Sequence, residues 1–517
     1  MDTDMDKAPL YEMLRRHSRR RRIRFHVPGH KGGRGRYRDI ATVFGKALPA
    51  LDLTELPELD DLNWPAPGGA VEEAQALAAR AFGASRAWLL VGGSTAGVLA
   101  MVLAAVGPAQ TLLATLPFHR SAAAAAVLAG CRLVALPPRL PETEVIPVPQ
   151  DAETVGRAAA EVRPAALLVT SPTYEGVVAD LPGLAAVAAR LGIPLLVDAA
   201  HGAHLGAAPG LPPSPGAAGV SAWVVSLHKT AGALTPGAVL LAGSSGAQGA
   251  GGPAPLDPER IASALRLIQT SSPPFFLLAS LDLARRRLAL TGEADWSAVV
   301  RLCRWIAAEV PVLTGGRLAC PGAVLGLERD PTRLVFTLTS GAPDELTGLE
   351  LARRVARAGV DLETAGWGHV VAVASPADDR RTLRLLGTRL GRALEDCRAK
   401  TVLEAGGREN GRRLEKECWG MVPAYEMTPA EAFRRPRRRV PVSLAAGRVA
   451  ADVVCPYPPG VPLVIPGQRI TDAVVGYLSF LGRSGYRTHG LREGTESGPE
   501  STAGAPAGPP ETIEVVR

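Results

Sequence analysis

At 517 residues, with 47% hydrophobic and 21% charged residues, the chain has material for about two or three domains around a large core, which excludes a disordered or low-complexity protein. Its formal charge of +7 is concentrated in RRHSRRRRIR (15–24) and RRPRRR (434–439), runs that can meet phosphates but more simply form solvated faces or subunit contacts. Cys131, Cys303, Cys320, Cys397, Cys418 and Cys455 lie far apart without a CxxC pair, which argues against a zinc centre and a disulfide framework.

The N-terminal MDTDMDKAPLYEMLRR carries acidic residues and has no apolar stretch of signal-peptide type. The most apolar window, AGVLAMVLAAVG (96–107), is too short to span a bilayer, so a cytoplasmic location is expected. From 86 to 243 the chain repeats one rhythm, a short apolar run followed by an Ala-rich stretch of helical length. The runs are AWLLVGG (87–93), TLLATL (111–116), RLVAL (132–136), AALLVTSP (165–172), PLLVDAAH (194–201), AWVVSLHK (222–229) and GAVLLAG (237–243). Alternation of this kind predicts an α/β fold with a mostly parallel sheet and helices on both faces. GAAPGLPPSPGAAG (206–219) and GSSGAQGAGGPAP (243–255) read as loops. Beyond 300, RLVFTLTS (333–340) is strand-like and ELTGLELARRVARAG (345–359) helical, which predicts a smaller α+β domain. CPYPPGVPLVIPG (455–467) should run extended because of its prolines. The Gly- and Pro-rich tail 491–517 is expected to be disordered.

In a parallel sheet, ligands gather at the carboxyl ends of strands. The polar residues collect there: Ser94 and Thr95, His119, Thr173 and Tyr174, Asp198 and His201, then Ser226, His228 and Lys229. GGSTAGV (92–98) joins a glycine turn to a helix start, where free N–H groups and hydroxyls suit a phosphate, or where a hydroxyl merely caps the helix. It lacks the lysine of a P-loop and the spacing of GxGxxG. Asp198 ends a buried strand and needs a cation, a metal ion or an N–H group as partner. Lys229 has little polar company, and an apolar surround favours the neutral amine that bonds to a carbonyl. In this order the parts suit pyridoxal 5'-phosphate, with its phosphate at a helix start, its ring nitrogen on Asp198 and its aldehyde in a Schiff base with Lys229.

FHVPGHKGG (25–33), DLTELPELDDL (52–62), GGSTAGV (92–98), SPTYEGVVAD (171–180), DAAHGAH (198–204), SLHKT (226–230), QTSSPPFFLLASLD (269–282) and PYPPGVPLVIPG (456–467) resemble the ornithine/lysine/arginine decarboxylases, in their short form. The resemblance implies the pyridoxal-phosphate transferase fold of type I. It implies an N-terminal arm (1–45), a large cofactor-binding domain (46–300), a small α+β domain (301–405) and a C-terminal decarboxylase domain (406–490). It also implies Lys229, His228 and Asp198 as catalytic residues, and Ser94, Thr95, Ser226 and His228 as phosphate ligands. His119 would stack on the ring with His201 close by, in a homodimer or higher oligomer, and QTSSP (269–273) would contribute to the partner's phosphate pocket.

Where that family usually has Glu after PG, this chain has Gln468, so the substrate is left among lysine, arginine and ornithine. Glu363, Asp361 and Glu175 are candidate partners for its distal cation. Two other readings stand beside decarboxylation: a lyase or aldolase of the same cofactor fold, and a nucleic-acid-binding regulator using the arginine runs.

Overall fold

A computed structural model describes residues 4–20, 22–54, 56, 59–141, 146–243, 251–395, 407–420, 422–457, 460–493 and 511–517. They form two compact units, Met1–Ala105 with Leu181–Ser297, and Val106–Asp180 with Ala298–Arg517. Most of the loop expected at 243–255, and Cys397, lie outside the described residues.

The seven apolar runs become β1 (Arg86–Leu90), β2 (Thr111–Thr115), β3 (Arg132–Leu136), β4 (Ala166–Thr170), β5 (Leu195–Asp198), β6 (Ala222–Val225) and β7 (Ala238–Ala242). They make the fold mixed α/β with a large, mostly parallel sheet, as expected. In the first unit the order is β1-β7-β6-β5, with β5 and β6 parallel and β7 antiparallel to both its neighbours. Every residue of β5, β6 and β7 is buried. This burial on both faces explains why the runs are continuously apolar rather than alternating. Helix Gly93–Ala105 packs close above β6, because a Cβ at Gly97 would stand 2.5 Å from Cγ2 of Val224. The N-terminal helix Pro9–Arg19 is fastened to the same unit: the Leu10 N–H donates to Oδ2 of Asp282 at 3.0 Å.

In the second unit β4, β2 and β3 run parallel in that order. A separate antiparallel sheet holds β8 (Leu318–Ala319), β9 (Arg333–Leu338), β10 (Thr364–Ala365) and β11 (His369–Val373) in the order β10-β11-β9-β8. Helices Gly348–Arg357 and Arg380–Glu395 accompany it. Further along are β12 (Arg437–Pro441), β13 (Cys455–Pro456), β14 (Thr488–His489), β15 (Leu491–Glu493) and β16 (Glu511–Val516).

The tail departs from expectation. Within the segment expected to be disordered, β15 and β16 join β12 in the order β12-β16-β15. Composition hid the alternation in ETIEVV, which puts Ile513 and Val515 at 1% and 0% exposure. Arg437 and Arg439 of the second arginine run lie 3.2 and 3.5 Å from Glu514 on β16, so part of that charge is met within the chain.

Candidate active site

The first unit assembles most of the expected site from two neighbouring strands. Since β5 and β6 are parallel, with Asp198 opposite Val224, both chains leave the sheet at the same end. Ala199 N–H donates to Val224 O at 3.0 Å and Ser226 N–H to Ala200 O at 3.2 Å. These bonds hold the strand ends together just where the polar residues begin. The single helical turn Leu227–Thr230 then carries His228 and Lys229.

Lys229 Nζ lies 2.9 Å from Nε2 of His201. Two basic nitrogens at that distance share one proton, so one of them is neutral. Asp198 is buried, and its Oδ1 accepts the Ala200 N–H at 3.1 Å. Burial pushes the Asp198 carboxyl above its usual range, and the Lys229 ammonium pulls it the other way. His228 Nδ1 is 2.9 Å from the Gly237 carbonyl. With Nδ1–H donating there, Nε2 is the acceptor nitrogen.

The hydroxyls of Ser226 and Thr230 are buried without a hydrogen-bond partner. Ser94 and Thr95 stand in the first turn of helix Gly93–Ala105, Ser94 half-buried and Thr95 exposed. Asp198, His201, Ser226, His228 and Lys229 thus come together in the first unit, and Ser94 and Thr95 belong to it as well. His204, the second histidine of DAAHGAH, is fully buried and stacks on Trp296 with ring centroids 4.2 Å apart. Gln269 of QTSSP accepts the Val91 N–H at 3.1 Å through Oε1, fastening that segment to the end of β1.

His119 belongs to the second unit, in the turn after β2, with Nδ1 2.9 Å from Oγ of Ser121. Gly460 lies against it: Arg120 N–H donates to Gly460 O at 3.2 Å, and a Cβ at Gly460 would be 3.6 Å from Cδ2 of His119. Tyr457 stacks on His489 with centroids 4.3 Å apart. Gln468 is buried, and its Oε1 accepts the Ile465 N–H at 2.9 Å. Its amide therefore braces the turn after PLVIPG. Among the candidate acids, Asp361 and Glu363 are exposed, whereas Glu175 is buried. Glu175 lines a cavity with Glu415, Trp367 and Tyr477, which no local sequence pattern marked, since they come from separate elements of the second unit.

Residues 8–318 match the family model described as Orn/Lys/Arg decarboxylase, major domain, and residues 412–503 match Orn/Lys/Arg decarboxylase, C-terminal domain. An arginine decarboxylase of Bacillus subtilis is 31% identical over 479 residues, covering 91% of this chain and 93% of the relative. One from Bacillus anthracis is 30% identical over 479 residues, covering 91% and 92%. The crystal structure of the Francisella novicida lysine decarboxylase LdcF superposes with a TM-score of 0.81 at 17% identity, covering 99% of this chain and 81% of that one.

Proposed function

Since the chain belongs to the Orn/Lys/Arg decarboxylase family, we propose that it removes the α-carboxylate of a basic amino acid with pyridoxal 5'-phosphate held at the carboxyl ends of β5 and β6. The observation that carries this reading is the 2.9 Å approach of Lys229 Nζ to His201 Nε2 on the strand ends that also carry the buried Asp198. The donor set fits that cofactor. Asp198 is a buried carboxylate suited to a protonated ring nitrogen, and the unpartnered hydroxyls of Ser226 and Thr230 suit phosphate oxygens, with Ser94 and Thr95 at a helix start. Lys229 would hold the aldehyde. When bound, the cofactor supplies an electrophile for the substrate amine and a sink for the electron pair left by departing carbon dioxide.

The chain's own residues would then do four things. Asp198 keeps a positive charge at the sink by its buried negative one. His228, with Nδ1–H donating to Gly237 O, presents Nε2 as a fixed acceptor. Lys229 and His201 share a proton that can be passed to the substrate α-carbon after carbon dioxide leaves. The fully buried strands β5 and β6 hold these groups in fixed positions.

The relatives' names make arginine the first substrate to test, followed by lysine and ornithine. Purified protein should absorb in the visible through the Lys229-bound cofactor and release agmatine, cadaverine or putrescine from the matching amino acid. Protein without a visible band and without any of the three amines would overturn the reading, and another product from the same amino acids would favour a lyase or aldolase. A homodimer also belongs to the proposal: Ile23, Phe25, Val27, Tyr37, Val43 and Phe44 of the N-terminal arm are exposed apolar residues, a surface suited to a second copy. Among the described residues no helix is long and apolar enough to cross a membrane, and a cytoplasmic location is proposed with it.

A further inference from the structure

DAAHGAH holds two histidines, and it is His201 that reaches Lys229 while His204 turns into the core. The backbone that joins them is one hydrogen-bonded piece. Gly202 N–H donates to Ala199 O at 2.8 Å, Leu205 N–H to Gly202 O at 3.2 Å and Ala207 N–H to His204 O at 3.0 Å. The first two turns share Gly202 and the third begins inside the second, so a displacement at His204 is carried back to His201.

The inner end of this piece is tied to the sheet by the bonds of Ala199 to Val224 and of Ser226 to Ala200. Those bonds precede His201 in the loop and leave its far side to be held by something else. Helix Phe275–Leu313 does so. Gly292 and Trp296 lie one turn apart on one face of it. A Cβ at Gly292 would stand 3.9 Å from Cβ of Ala207, and Trp296 stacks on His204 with centroids 4.2 Å and planes 28° apart. His204 is 0% and Trp296 2% exposed. Beyond the stack, Gly206 N–H donates to Pro212 O at 2.9 Å and closes the loop.

Two flat rings in contact fix orientation as well as depth, because stacked rings prefer a narrow range of geometries. The bond at the other end has little tolerance. A shift of roughly 0.7 Å would take the 2.9 Å approach of His201 Nε2 to Lys229 Nζ out of hydrogen-bond range. Resting on the reading of Lys229 as the amine that holds the aldehyde, we infer that His204 is a positioning residue: its ring, stacked on Trp296, sets the approach of His201 to Lys229 and so the readiness of that amine to take up the cofactor. The same stack would do no more than fill space if His201 were held by the sheet alone.

The two cases separate in the full chain labelled with ¹³C-histidine and freed of cofactor. The signal of His201 is the one missing from His201→Asn. It should move in His204→Ala and return to its wild-type position in His204→Phe, which keeps a flat ring on Trp296. Uptake of pyridoxal 5'-phosphate, followed by growth of the visible band, should be about tenfold slower or more in His204→Ala and be restored in His204→Phe. Thermal melts report whether His204→Ala is folded; if it is not, Trp296→Leu removes the ring face from the other side and gives the same comparison. An unmoved His201 signal or unchanged uptake in the folded variant, or a His204→Phe protein that behaves like His204→Ala, overturns the inference. Where the wild type takes up no aldehyde, the decarboxylase reading fails and the histidine spectra alone decide whether the stack positions His201.

Discussion

The imidazole Nε2 of His201 stands 2.9 Å from Nζ of Lys229, so one of the two nitrogens donates the shared hydrogen and the other accepts it. Lys229→Ala should remove both turnover and the visible absorbance band. His201→Asn should retain the band, lower turnover by about 10²-fold or more and shift the pH–rate profile, because the amine then lacks its basic neighbour. Retention of band and turnover in Lys229→Ala would remove the central assignment.

Asp198→Asn preserves the acceptor for the Ala200 N–H but removes the buried negative charge. Turnover should drop by about 10²-fold or more, with folding unimpaired, because burial disfavours the ionised carboxylate that the substitution removes. Steady-state assays paired with thermal melts of the cofactor-free protein check both halves.

Gly97→Ala drives a methyl group into Val224, where the Cβ would sit at 2.5 Å from Cγ2. Helix Gly93–Ala105 must lift from β6, at an overpacking cost of about 1–3 kcal/mol, and Ser94 and Thr95 move with it. Weaker cofactor affinity, read by titration of the visible band, is the expected result; unchanged affinity and stability would mean that the helix is free to slide.

Asp282 and Arg285 pair at 2.7 Å with both side chains at or below 1% exposure. The same guanidinium donates to the carbonyls of Met5 and Lys7, and the carboxylate accepts the Leu10 N–H. Asp282→Ala leaves a buried cation unpaired and should cost about 3–5 kcal/mol. Chemical denaturation measures the loss, and amide exchange should quicken over Pro9–Arg19 before the strands of the sheet.

Glu415 carries a pH signature of its own. Its carboxyl is raised from 4.5 to about 7, chiefly by burial, so the folded second unit holds a proton that the unfolded chain releases. The stability due to that proton is fully present below about 4.5 and is lost as pH rises through about 7. Glu415→Gln should flatten this decline. Denaturation midpoints of both proteins between pH 5 and 8 test it, and parallel curves would refute it.

How much was legible depended on whether information lay along the chain or across it. The strand rhythm, the α/β class and the positions of Asp198 and Lys229 could be read because burial on both sheet faces writes continuous apolar runs, and polar residues are tolerated only where those runs end. The antiparallel course of β7 could not be read, since GAVLLAG is apolar in either direction. The strand Glu511–Val516 was missed because its alternation is short and sits behind a Gly- and Pro-rich stretch.

The sequence by itself determined which residue types stand at the strand ends, and with them the family and its chemistry. Only the tertiary structure decided that His201 faces Lys229, that His204 is instead spent on Trp296, and that Glu175, Trp367, Glu415 and Tyr477 share one cavity. Contacts between residues tens to hundreds of positions apart follow from strand register and helix packing. These are set by the whole buried surface, and no local spacing encodes them.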